Sequence, residues 1–247
     1  MAKMKYPEQI VANIPFCPGC GHGIIVRLMV ECVNELGYSD KIVMHQAVGC
    51  CSLVGLGLDW EMLVGAHGGG GANATGLKRM LKDTALVIAY QGDGDAYNIG
   101  LAETLNAAYR NENITVIAVN NTNFGMTGGQ MSWTTLPGQR TTTSVDGRDS
   151  KTSGMPIKVP ELIANSFDTA YVARGTVTSP AEIRKTKGFI KQGLQNQIDG
   201  KGHSLIEILS PCPTNWHSNP ITDSLDRIEK ELIPFYYPIG ELKVKGE

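Results

Sequence analysis

Residues 85–121 read Ala85-Leu86-Val87-Ile88-Ala89-Tyr90-Gln91-Gly92-Asp93-Gly94-Asp95-Ala96-Tyr97-Asn98-Ile99-Gly100-Leu101-Ala102-Glu103-Thr104-Leu105-Asn106-Ala107-Ala108-Tyr109-Arg110-Asn111-Glu112-Asn113-Ile114-Thr115-Val116-Ile117-Ala118-Val119-Asn120-Asn121. The runs 85–90 and 114–119 have strand length and, Thr115 apart, are apolar, the pattern of strands buried on both faces of a parallel sheet. Between them a Gly92-Asp93-Gly94-Asp95 turn leads into a helix opened by Tyr97 or Asn98 and carried by Glu103, Leu105, Asn106 and Tyr109. Asn111-Glu112-Asn113 stops it. The stretch is a strand-helix-strand unit, and it predicts an α/β fold with a doubly wound, mostly parallel sheet. If the strands are neighbours, Asp93 and Asn121 both lie just past strand carboxyl ends, where open α/β sheets bind ligands. A carboxylate and an amide oxygen are hard ligands suited to Mg²⁺, which commonly completes its shell with phosphate and water. Gly, Asp and Asn are also the commonest turn formers, so two ordinary loops explain the same residues.

The chain has 247 residues, 42% apolar and 19% charged, enough to bury one α/β core without a second domain. A net charge of −2 with dispersed basic residues argues against nucleic acid as a partner. No apolar run reaches bilayer-spanning length, and the lysines at the amino terminus are not followed by a long apolar stretch, so a cytoplasmic location without membrane contact is expected. The glycines cluster, at 19–23, 65–76, 92–100 and 125–129, which predicts close approach of backbone to something at those places.

Six cysteines stand at 17, 20, 32, 50, 51 and 212. Without a secretory signal, three disulfides are a poor reading. Cys32 shares a helical face with Ile25, Leu28, Met29 and Leu36 and reads as a small buried apolar residue. Cys17-Pro18-Gly19-Cys20 precedes a helix that begins near His22 and aims two thiols at one place. It is open to three readings: a redox pair, a zinc site lacking its second ligand pair, or half of an iron-sulfur site completed by distant cysteines. Cys50 or Cys51, and Cys212, are the candidates for the other half.

The rest of the chain follows the same alternation. Residues 41–48 read as a strand with Val48-Gly49-Cys50-Cys51 turning off its carboxyl end. The glycine group at 66–76 precedes a helix through Leu77, Met80 and Leu81; its free amides suit an anion, or it only turns the chain. His67 at its start is, on its own, an ordinary hydrogen-bonded histidine as readily as a ligand-binding one. Residues 132–158, rich in Thr, Ser, Gly and Pro, are too long for a plain connection and are expected to cover the active site or lie against another subunit. A strand at 170–174, a helix opened by Pro180 and running through Ile198, and a strand at 204–209 complete the core. The end of the chain reads as a loosely held tail.

Gly-Asp-Gly, about 25 residues and Asn-Asn form the thiamine diphosphate motif. With Asn121-Thr122-Asn123-Phe124-Gly125-Met126-Thr127-Gly128-Gly129-Gln130 after it, the chain from Phe16 to about Tyr237 resembles the beta subunit of 2-oxoacid:ferredoxin oxidoreductases. The resemblance implies a single domain over 1–247 of the diphosphate-binding type, with a cluster-binding segment at 1–23, a long loop at 132–158 and an extension at 210–247. It implies Mg²⁺ held by Asp93, Asn121 and the main chain of Asn123, and thiamine diphosphate against Val48, Gly49, Cys50, Cys51, His67, Gly94, Asp95, Gly125 and Met126. It also implies a [4Fe-4S] cluster on Cys17, Cys20, Cys50 and Cys212. Cys51 stands where the family more often has serine, and Gly69 where it has arginine. The implied reaction is coenzyme A-dependent oxidative decarboxylation of a 2-oxoacid, with electrons passing to ferredoxin. The favoured substrate is 2-oxoisovalerate, with 2-oxoglutarate as the alternative, because Thr127-Gly128-Gly129-Gln130 lacks the lysine of 2-oxoglutarate enzymes. A non-redox thiamine decarboxylase or synthase would not need the cysteines. The activating glutamate is expected from an alpha subunit, with gamma and delta subunits as further components.

Overall fold

The computed structural model describes residues 6–246. The expectations about the amino-terminal lysines, residues 1–5 of the cluster segment and Glu247 lie outside the described residues. In chain order the elements begin α1 His22–Glu35, β1 Ile42–Gln46, β2 Glu61–Val64, α2 Gly70–Leu81, β3 Leu86–Gly92, α3 Leu101–Tyr109 and β4 Thr115–Asn120. A two-stranded hairpin of β5 Asn123–Phe124 and β6 Gln130–Met131 leads into α4 Ser150–Ser153 and α5 Val159–Ser166. Then come β7 Tyr171–Thr176, α6 Pro180–Ile198, β8 Ser204–Leu209, α7 Asp223–Arg227, α8 Ile233–Phe235 and β9 Gly240–Val244.

The main sheet has the order β2-β1-β3-β4-β8-β7-β9, and every pairing is parallel except β7 with β9. Successive strand residues serve opposite faces. Leu86, Ile88 and Tyr90 of β3 enter a core with α1 and α6, while Val87 and Ala89 enter a second core with α2, α3 and α5. That alternation is the period of a strand, and burial on both faces is why 85–90 and 114–119 are apolar but for Thr115, whose buried hydroxyl donates to Gly193 O and accepts from Gln197 Nε2. Each valine, leucine or isoleucine among them taken from water contributes roughly 1.5–3 kcal/mol. Cys32 is fully buried in the first core, as its helical spacing predicts. Ser179 caps α6 by accepting from the Glu182 amide, with Pro180 in the first turn.

The chain runs from β1 outward to β2 on one side, and from β3 outward to β4 on the other. The switch point therefore falls between the carboxyl ends of β1 and β3.

Three expectations need correction. There is no free turn at 92–95: Gly92 ends β3, and Asp93 stands at the N-terminal position of a π-type turn at Gly94–Ile99 that leads into α3. Such wide turns recur at functional sites because they displace side chains from the regular helical face. The glycine group does not simply precede α2 but forms its first turn, since Gly70 and Gly71 are helical. A Cβ at Gly71 would lie 2.6 Å from the Glu103 carbonyl oxygen, so the glycines let α2 lie against α3. Of the residues expected to carry that helix, Leu77 and Leu81 pack on the core while Met80 is exposed. The end of the chain is not loose: β9 adds an antiparallel edge strand, and Leu232 and Tyr236 pack with Leu136 and Leu209 in a third core.

Candidate functional site

At the switch point a cavity opens between the loops that follow β1, β3 and β4. Val48, Gly49, Cys50, Cys51, His67, Gly94, Asp95, Gly125 and Met126 all line it, together with Asp93, Asn121 and Asn123. Gly49 bends the first loop with φ +125°, a conformation that favours glycine.

Asp93 is buried, and its two carboxylate oxygens have different surroundings. Oδ2 accepts from the Ser132 hydroxyl at 2.8 Å and from the Thr134 hydroxyl, whereas Oδ1 faces Asn121. Burial pushes the carboxyl up to about 6 against the opposing effect of these hydrogen bonds. The end of the Asn121 amide stands 2.8 Å from the Asn123 main-chain oxygen and 3.2 Å from Asp93 Oδ1. With the amide nitrogen there, two hydrogen bonds close the gap. With the amide oxygen there, three acceptors face one another with no proton between them. Octahedral Mg²⁺ with bonds of about 2.0–2.1 Å sets adjacent ligand oxygens about 2.9 Å apart. The donor set and its spacing fit that ion, and a half-turn of one amide converts the hydrogen-bonded arrangement into the ligating one.

Asp95 is buried as well, but its carboxylate is turned to the glycine loop. It accepts from Gly68 N at 2.8 Å, from Gln91 Nε2 at 2.6 Å and from His67 Nδ1. With Nδ1 committed, Nε2 is the remaining polar atom of an imidazole that lines the cavity and packs edge-on to Phe124.

A second cavity adjoins the first, and Cys17, Cys20, Cys50 and Cys212 all line it. Cys51 lines only the first cavity, and Cys32 neither. All six cysteines are free thiols. Among the described residues no group of three or more His, Cys, Asp or Glu closes on a single ion. Thiolates around a cubane each bind a different corner and so stand further apart than ligands of one zinc. Burial pushes the Cys20 thiol up to about 12 and Cys50 up to about 11, and each thiolate would raise the others. Ionising them together needs a compensating positive charge. The two cavities share Cys50, Asn121 and Gly125 as common wall. The segment after Cys212 braces that wall: Asn215 Nδ2 donates to Gly125 O at 2.8 Å and to Cys212 Sγ at 3.4 Å, and Trp216 Nε1 to Asn121 O at 3.1 Å.

Sequence reasoning missed His22, Phe124 and Thr127 on the cavity wall and the two hydroxyls on Asp93. His22, buried and stacked on Phe16, hydrogen-bonds the Tyr90 hydroxyl at 2.5 Å, and burial lowers it to about 4. Its place two residues after the C-x-x-C was the one available signal. Ser132 and Thr134 gave none, because a hydroxyl in a Thr-rich loop is unremarkable by type.

Residues 47–208 match the thiamine pyrophosphate enzyme C-terminal TPP-binding domain family. The chain is 34% identical over 205 residues to the 2-oxoglutarate synthase subunit KorB of Archaeoglobus fulgidus, covering 83% of this chain and 72% of that one. It belongs to the thiamine diphosphate-binding beta subunits of 2-oxoacid:ferredoxin oxidoreductases. Within this family it is 42% identical over 228 residues to the ketoisovalerate oxidoreductase subunit VorA of Methanothermobacter marburgensis, covering 92% of this chain and 47% of that one. The chain thus spans about half the length of its ketoisovalerate relatives. Among solved structures, the 2-oxoglutarate:ferredoxin oxidoreductase of Magnetococcus marinus, determined with 2-oxoglutarate, coenzyme A and succinyl-CoA bound, superposes with a TM-score of 0.74 at 26% identity. That match covers 91% of this chain and 73% of the other. Among the described residues no helix is long and apolar enough to cross a membrane.

Proposed function

We propose that this chain is the cofactor-binding subunit of a coenzyme A-dependent oxidoreductase that converts a branched-chain 2-oxoacid, 2-oxoisovalerate foremost, to acyl-CoA and CO₂ and delivers the electrons to ferredoxin. The observation that carries the reading is the wall common to both cavities, made by Cys50, Asn121 and Gly125. Thiamine diphosphate supplies the decarboxylating chemistry and a [4Fe-4S] cluster the one-electron acceptor when both are bound.

The chain's own residues hold and shape the two sites. Asp93, Asn121 and the Asn123 carbonyl take Mg²⁺ and so anchor the diphosphate. Asp95 ties His67 and the glycine loop to the cavity rim. Cys17, Cys20, Cys50 and Cys212 hold the cluster, with Cys50 on the side facing the first cavity; Cys51, which lines only the first cavity, does not ligate. The shared wall would set the two groups side by side. A carboxylate to share a proton with the aminopyrimidine ring comes from a partner alpha subunit.

The branched-chain substrate is supported by the 42% identity to the ketoisovalerate subunit and by the lining of the first cavity, which among the described residues contains no lysine or arginine. A substrate with a second carboxylate would meet no lysine or arginine among the described residues of that lining. The alternative, 2-oxoglutarate, is supported by the KorB relatives, which this chain matches over a larger share of their length. Turnover of the assembled complex with a panel of 2-oxoacids, coenzyme A and ferredoxin decides between them. A higher kcat/KM for 2-oxoglutarate than for 2-oxoisovalerate would overturn the branched-chain assignment.

A further inference from the structure

The loop that carries two of the three cation-facing oxygens has an unusual centre. Thr122, between Asn121 and Asn123, has φ +60°, the left-handed region that a β-branched residue rarely enters. It is fully buried, and its own hydroxyl has no hydrogen-bond partner among the described residues, so the side chain is not what holds it there. The backbone is. The Thr122 amide donates to Asn120 Oδ1 at 3.1 Å, and its carbonyl accepts from Thr135 Oγ1 at 2.7 Å and from Gln139 Nε2 at 3.2 Å.

Each of these groups is itself fixed. Asn120 Nδ2 donates to Glu207 Oε1 at 3.0 Å, and Glu207 is ion-paired with the fully buried Arg174. Thr135 and Gln139 belong to the Thr-rich strap, which the buried Arg148 pins by donating to the carbonyls of Ser132, Trp133 and Thr135. The same strap provides Ser132 and Thr134 to Asp93 Oδ2, which leaves Oδ1 aimed at Asn121. Thr135 and Gln139 do not line the cofactor cavity.

We infer that residues 132–139 are a positioning clamp: Thr135 and Gln139 hold Thr122 left-handed and thereby bring the Asn121 amide and the Asn123 carbonyl onto the same cation as Asp93. A left-handed centre reverses the chain between the two asparagines, so that one contributes its side chain and the other its main-chain oxygen at a spacing of 2.8 Å. A strained residue persists only where its surroundings over-determine it, and releasing the carbonyl lets Thr122 relax and separates the oxygens. The inference rests on the reading of Asp93, Asn121 and Asn123 as Mg²⁺ ligands.

The test uses the full chain, measuring Mg²⁺-dependent thiamine diphosphate binding by calorimetry and thermal stability in parallel. Thr135→Val with Gln139→Leu is expected to weaken the metal-dependent affinity about 10- to 100-fold, the range for groups that orient metal ligands. Adding Thr122→Gly to that pair is expected to restore most of the affinity, because glycine adopts the left-handed conformation without strain. A general packing defect would lower stability and would not be rescued by a glycine. Unchanged affinity in the double variant, or no rescue by Thr122→Gly, overturns the clamp. Asp93→Ala is the control: if it retains metal-dependent binding, or the wild-type chain shows none, the ligand assignment fails and the clamp with it.

Discussion

At the residue scale the four cysteines and the acids of the site are set apart by what surrounds them, not by their type. Serine at Cys17, Cys20, Cys50 or Cys212 is expected to abolish an oxygen-sensitive [4Fe-4S] chromophore, read from iron, sulfide and the visible spectrum of anaerobically purified protein. Cys32→Ser and Cys51→Ser are expected to keep it, since neither side chain lines the four-cysteine cavity. Full iron and sulfide in Cys212→Ser would refute the ligand set. A second residue-scale effect lies far from the site. His203 is buried with neither ring nitrogen hydrogen-bonded among the described residues, and burial lowers it from 6.5 to about 4. A lowered folded-state value means that the unfolded chain binds the proton first, so this stability is present above pH 6.5 and is lost as pH falls toward 4. Between pH 7 and pH 5 that loss is about 2 kcal/mol. Denaturant titrations should show His203→Phe losing less stability than wild type over the same interval; equal losses would mean that His203 titrates normally.

At the scale of elements, the contact between α2 and α3 positions the glycine loop and with it His67. Gly71 permits the approach, because a Cβ there would meet the Glu103 carbonyl at 2.6 Å and the Thr104 amide at 3.2 Å. Both are backbone, which cannot swing aside as a side chain can. Gly71→Ala is therefore expected to destabilise the fold by about 1–3 kcal/mol, although alanine is the better helix former. A midpoint shift in urea unfolding toward higher stability would show that helix propensity outweighs the clash.

At the scale of the whole molecule the proposed function gives this chain both inorganic sites but only one side of the cofactor. Purified alone, it is expected to reduce ferredoxin with 2-oxoisovalerate and coenzyme A at a rate at least about 10²–10⁴-fold below that of the assembled complex, the usual cost of losing acid-base help. Addition of an alpha subunit should restore the rate and protect the main-chain amides of the cavity rim from hydrogen exchange, among them those around the exposed Met126. Ferredoxin reduction by this chain alone at the complex's rate would refute a shared site.

The sequence by itself determined the doubly wound sheet and the two strands that flank the site, while the residues of its wall came from the resemblance to a family. The sheet and its strands rest on local properties: apolar runs, a period of 3.6 in the helices, and glycine, aspartate and asparagine at strand ends. Tertiary structure decided what no local pattern encodes. It separated Cys50 from Cys51, adjacent in the chain: both line the first cavity, but only Cys50 also lines the four-cysteine cavity. It turned Asp95 to the glycine loop and gave Asp93 two hydroxyls from a strap about 40 residues away. It also took the end of the chain into the sheet as β9. Each of these depends on which segments the sheet order brings together, and contacts between distant segments leave no periodicity in the chain that makes them.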